Sequence, residues 1–166
     1  LPTAYNMGTE IMQTPGAVVI RNEMIHETRI IPVDGRPRIN PKIRSYMGDS
    51  RGHWEGDTLV IETTNFNGKV GITRNGNTLL TSPDLKLTER LTRVDADTLI
   101  YEATVDDPRT WTRPWKVSLP LTNHPEYQFF EYACHEGNYA MRNILSAERA
   151  AEKKPSAHAS GTTSEP

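Results

Sequence analysis

Residues 85–91 read Leu-Lys-Leu-Thr-Glu-Arg-Leu and alternate with a period of two. Successive side chains of an extended strand point to opposite faces, so one face of this run is mostly apolar and the other is polar. Asp95-Ala96-Asp97 then turns the chain, and residues 98–105 return as Thr-Leu-Ile-Tyr-Glu-Ala-Thr-Val. The spacing predicts an antiparallel hairpin that pairs 85–94 with 98–106.

The rest of the chain is punctuated in the same way. Residues 10–13 form a short apolar-biased segment, broken by Thr14-Pro15-Gly16. Ala17–Ile20 and Ile25–Pro32, interrupted by Arg21-Asn22-Glu23, read as a second hairpin or as one bent strand, and Asp34-Gly35-Arg36-Pro37 then turns the chain. Residues 36–51 carry Arg36, Arg38, Lys42, Arg44 and Arg51 among prolines and glycines, and read as a long loop. Gly56-Asp57 leads into the β-branched strand Thr58–Thr64. Trp115–Leu121 alternates again, with Pro120 placing its end at a sheet edge or bulge. Tyr127–Cys134 reads as an aromatic strand. Beyond it, Asn138 is a candidate N-cap for a helix over 138–153, and Pro155 stops it. The expected fold class is mainly β: the strands in meander order suggest a barrel or a sandwich, and the preferred reading is an antiparallel meander in a barrel-like sheet, with one C-terminal α-helix and a disordered tail. Residues 1–154 make the domain and 155–166, polar and small, the flexible tail.

The 166 residues carry 19 Lys+Arg against 21 Asp+Glu, a net charge of −2. That balance lacks the basic footprint of a nucleic-acid binder. No apolar run approaches the length of a membrane-spanning helix, so no membrane insertion is expected. The single cysteine, Cys134, forms no intrachain disulfide and no multi-cysteine zinc site. Nothing in the sequence calls for a metal or a cofactor.

Glu89 is the most informative residue. It shares its strand face with Leu85, Leu87 and Leu91. A carboxylate on an inward face must be paired, protonated or open to a wet cavity. Two readings follow: a general acid or base with a raised pKa, or a buried partner of an Arg, His or Tyr. The run 131–139, Glu-Tyr-Ala-Cys-His-Glu-Gly-Asn-Tyr, adds Glu131 and His135 as acid–base candidates and Tyr132 as a ligand contact. In His26-Glu27-Thr28-Arg29, His26 and Thr28 share one face, with a pocket within reach of His26, and Glu27 and Arg29 share the other, where a cross-strand salt bridge accounts for them. Trp111 and Trp115 flank Arg113-Pro114, as a core corner or as a stacking surface beside a cationic clamp.

The segments Glu23–Pro37, Tyr46–Phe66, Asp106–Trp115 and Glu131–Tyr139 resemble a family of uncharacterised exported bacterial proteins, known from acidobacteria and proteobacteria, with a Gly-His-Trp-Glu-Gly-Asp-Thr-Leu-Val-Ile-Glu-Thr-Thr-Asn-Phe motif, here residues 52–66. The resemblance implies a periplasmic or secreted protein and carries no activity. Two functions are therefore expected in competition. One is a small-molecule-binding β-barrel, with or without catalysis; in its catalytic version, a lyase or hydrolase, Glu89 or Glu131 and His135 move protons and Arg29 or Arg113 holds an anionic group. The other is a non-catalytic interaction or structural subunit, ordered against a protein partner or a second copy.

Overall fold

A computed structural model describes residues 8–23, 26–69, 71–74, 77–130 and 136–153, with the side chains of 72–79 left aside. The strands are β1 (Thr9–Gln13), β2 (Ala17–Asn22), β3 (Thr28–Pro32), β4 (Asp49–Glu55), β5 (Thr58–Thr64), β6 (Gly71–Arg74), β7 (Asn77–Leu80), β8 (Lys86–Arg93), β9 (Thr98–Asp106) and β10 (Trp115–Thr122). One helix follows, α1 (Ala140–Glu152). The chain divides into two compact units, residues 1–132 and 133–166.

Among the described residues, the strands all belong to the first unit and form three antiparallel sheets. β1-β2-β3 form the first and β10-β9-β8-β5-β4 the second, and β6 pairs with β7 in a small third. The alternation of 85–91 is realised directly: Leu87 pairs with Val105, Glu89 with Ala103 and Leu91 with Tyr101. The second hairpin also forms, with Val18 opposite Ile31 and Ile20 opposite Arg29. The sheets do not close into the expected barrel. β4 and β10 end the five-stranded sheet as separate edges, and the three-stranded sheet covers its inner face as a second layer. Pro120 sits on the edge strand β10, where a missing N–H interrupts no ladder if it faces outward.

The core is stratified. Val18, Ile20 and Ile31 of the small sheet pack on Leu59, Ile61 and Leu91 of the large one. Each such aliphatic side chain contributes about 1.5–3 kcal/mol on full burial. A second cluster joins Phe66, Leu85, Leu87, Ala103 and Val105, with Trp111 and Trp115 packed against it. Glu89 lies between Leu87 and Leu91 on this face and therefore between the two clusters. The opposite face of the large sheet is polar. It carries Arg90 bonded to Glu55 at 2.8 Å and Lys116 paired with Glu102 at 2.5 Å. That is the alternation expected of an antiparallel sheet wetted on one side.

Three local readings are corrected. The loop of 36–51 ends in a strand, β4, which pairs with β5 through a two-residue turn. Gly56, at φ +57, takes the first central position of that turn, the place type II′ hairpins give to glycine. Strand β4 was hidden because its charged residues and glycine have low strand propensity. Its Gly52 has a packing reason: an added Cβ would lie 2.9 Å from Val33 Cγ1 and 3.0 Å from Ile31 Cγ2. The small sheet can approach the large one here only over a bare backbone. The arginines of the loop are staples: Arg38 donates to the carbonyls of Asp49 and Glu62, and Arg44 to those of Phe66 and Pro83.

Residues 127–130 are not a strand. They are pinned instead by Glu23, whose carboxylate accepts Tyr127 Oη–H at 2.5 Å, Phe130 N–H at 2.9 Å and Gly8 N–H at 3.1 Å. Arg21 lies over the Phe129 ring, 4.5 Å from its centroid.

The second unit contains α1, close to the predicted span. The cap residue is Tyr139, one later than expected, and it makes no side-chain cap bond. Asn138 still contributes, its Oδ1 accepting the Ala140 N–H at 3.1 Å. No helix among the described residues is long and apolar enough to cross a membrane. The tail 155–166 lies outside the described residues.

Candidate functional site

Glu89 is inward-facing, as its strand period requires, and its solvent exposure is 0%. Strand β3 brings Arg29 across from the other sheet. Its Nη1 donates to Glu89 Oε1 at 2.9 Å and its Nη2 to Oε2 at 2.6 Å. This is a bidentate guanidinium–carboxylate pair, the strongest geometry such ions adopt. Tyr101 of β9, one strand over, donates its hydroxyl to Oε1 at 2.9 Å. Arg29 Nη2 also reaches Ser50 Oγ and Thr63 Oγ1, each at 3.3 Å, and those two hydroxyls bond each other at 2.9 Å. Five side chains from five strands, β3, β4, β5, β8 and β9, thus form one buried polar layer between the sheets.

The electrostatics follow from that enclosure. Burial disfavours the Arg29 cation, but the hydrogen bonds and charge of Glu89 outweigh it and raise its pKa above the ordinary value. Burial first, and then the negative Glu89, raise the Tyr101 hydroxyl, so it stays a donor. Arg29 Nε is buried with no partner among the described residues. Both Glu89 oxygens are engaged and no surface of the residue reaches solvent. A proton carrier needs a route to its substrate; the two clefts described below are not lined by this residue.

The other described candidates do not gather around Glu89, Arg29 excepted. Arg29 forms its salt bridge to another strand, and that strand lies in the other sheet: the partner is the carboxylate 60 residues away. Arg29 is therefore not available as a clamp for an anionic ligand. His26 precedes β3 in the turn, at φ +56, and is exposed. Trp111 and Trp115 meet edge to face, centroids 5.6 Å apart at 74°, as a half-buried cover over the second apolar cluster. Arg113 between them is exposed. Glu131, Tyr132 and His135 lie outside the described residues. Among the described residues no group of three His, Cys, Asp or Glu is placed to hold a metal ion.

Among the described residues of the first unit, two clefts stand out. A shallow one of about 470 Å³ follows the loop His124–Phe130. The larger, of about 940 Å³, opens at the end of the sandwich beyond Leu91, where the sheets part. Its floor is aliphatic: Ile11 and Val18 from the small sheet, Leu59, Leu91 and Leu99 from the large. Its rim is polar and aromatic. Trp54, 46% exposed, and Asp57 come from the β4–β5 hairpin, and Arg93 and Asp95 from the β8–β9 hairpin. Sequence reasoning assigned none of these residues to a site. The only available signal was the two turns, Gly56-Asp57 and Asp95-Ala96-Asp97, whose common placement at one end depends on the strand order.

Comparison with protein-family models, curated proteins and solved structures finds no match to this chain.

Proposed function

We propose that this chain is a binding domain for a small amphipathic molecule, seated in the groove at the open end of the sandwich. The observation that carries this reading is the groove itself: about 940 Å³ with an aliphatic floor and a few polar groups at its rim. Ligand sites commonly combine these features, an apolar lining and sparse polar groups that orient the ligand. The acid–base version of the function has less support. Glu89 is fully engaged by Arg29 and Tyr101, which makes it a structural member of the core.

The test is a titration with 1-octanol followed by backbone amide chemical shifts. The expected result is saturable movement centred on Val18, Leu59, Leu91 and Leu99, at one site per chain. Shifts centred on the cover of Trp111 and Trp115, or no saturation, would remove the groove as the site.

A second reading, an interaction subunit, draws on the outer face of the small sheet. Met12 pairs with Val19 and Val19 with Ile30, so the three form one apolar row. Ile30 is 68% exposed and Met12 40%. A face of this kind suits a protein partner or a second copy. Concentration-dependent sedimentation that disappears in an Ile30→Lys variant supports this reading; a monomer at every concentration removes self-association from it. Export to the periplasm or the medium remains part of the proposal through the family resemblance alone.

A further inference from the structure

We infer that the groove selects amphiphiles with a cationic head, an alkyl- or arylammonium, over anionic ones; this rests on the groove being the binding site. Three charged residues line it: Asp57, Asp95 and Arg93. Two negative charges against one positive leave the rim at −1.

The disposition of the three sharpens the count. Arg93 is turned onto its own hairpin, where Nε donates to the carbonyl of Asp95 at 3.0 Å and Nη2 to that of Ala96 at 2.8 Å. An anionic head would have to compete with those bonds. Asp95 is committed as well: its Oδ1 accepts the Asp97 N–H at 2.8 Å and the charge of Arg93 lies near it. Asp57 differs. It is exposed at the tip of the β4–β5 turn and makes no ion pair or side-chain hydrogen bond to a described residue. It is therefore the uncompensated charge of the rim.

Trp54 points the same way. Its position opposite Leu59 in the β4–β5 ladder puts both on one face of the sheet. A half-exposed indole beside an aliphatic floor offers a negative ring face, which attracts ammonium groups and gives nothing to sulfates or carboxylates. An apolar body on Leu59, Leu91 and Leu99 and a cationic head between Trp54 and Asp57 would use the floor, the free carboxylate and the exposed indole of the groove.

The experiment is calorimetric titration of the intact chain at low salt with three probes of equal tail length: octyltrimethylammonium, octyl sulfate and 1-octanol. The expected result is saturable binding of the ammonium at least about tenfold tighter than the sulfate, a ratio well within the reach of one charge and one ring. Asp57→Lys should abolish or reverse that preference, and Trp54→Leu should weaken the ammonium more than 1-octanol. Asp57 is exposed and unbonded, so its replacement leaves the fold intact, which circular dichroism checks. Equal affinity for the two ions, tighter binding of the sulfate, or a preference unaffected by Asp57→Lys overturns the inference, while binding of 1-octanol keeps the groove. Failure of all three probes to bind overturns the groove and the inference together.

Discussion

Glu89→Gln keeps the shape of the side chain and removes its charge, leaving the Arg29 guanidinium buried beside a neutral amide. Breaking a buried pair from one side typically costs about 3–5 kcal/mol. A loss of that size in urea unfolding is expected; a loss under about 1 kcal/mol would mean that the pair is not desolvated as the packing shows. Gly52→Ala tests a different contact. The new methyl meets Val33 and Ile31 at 2.9 and 3.0 Å, so one sheet must retreat. A destabilisation of about 1–3 kcal/mol is expected for overpacking of this kind, and an unchanged midpoint would show that the sheets are not in close contact there. The sequence revealed half of this. The face of Glu89 was legible because its period of two is strict. The type of partner, an Arg and a Tyr, was legible too, but not which ones, because the pairing with Arg29 joins strands in different sheets.

Elements were legible where alternation was long and obscured where side chains served the loops. Strands β8, β9 and β10 lie where the pattern puts them. Strand β4 reads as loop because Arg51 and Asp49 are paired and Gly52 is needed for packing. The β6–β7 pair falls within a Gly- and Asn-rich stretch, where no period is visible. Residues 127–130 mislead in the opposite sense, since their aromatics suit a strand but answer to Glu23. That clamp has a pH signature. The Tyr127 hydroxyl first, and then the Phe130 N–H, hold Glu23 below its ordinary 4.5. Asp34, bonded by Arg36, lies at about 2. Glu55 is lowered by Arg90 and His53. Asp107 resists burial through hydrogen bonds from Ser82 and Thr110 and is lowered too. A depressed folded pKa means that the contribution is complete above the unfolded value and disappears as pH falls through the folded one. Stability should therefore hold down to about pH 4.5 and fall below it. Thermal midpoints against pH check this, and a loss already between pH 7 and 5 would contradict it. Tyr127→Phe should raise proteolytic cleavage near residue 128 without moving the global midpoint by more than about 1 kcal/mol.

At the scale of the molecule, β class and strand succession were readable, but closure was not. A meander of strands is shared by barrels and open sandwiches, and the difference rests on whether the edge strands pair. Here β4 and β10 remain apart, and the inner face is filled by the small sheet through an apolar layer and an ionic layer. The groove was unreadable for the same reason: its floor draws on strands far apart in sequence. The central claim is that Glu89 and its partners are a structural filling between the sheets with no part in binding, and that binding chemistry belongs to the groove. Its most direct test is the triple variant Arg29→Met, Glu89→Leu, Tyr101→Phe, which replaces the buried polar groups by apolar side chains. Such replacements are often neutral or stabilising where a single deletion is not. The account predicts a folded chain within about 1 kcal/mol of the parent in urea, binding 1-octanol with unchanged affinity by calorimetry. A triple variant that folds as well as the parent and no longer binds 1-octanol would contradict it.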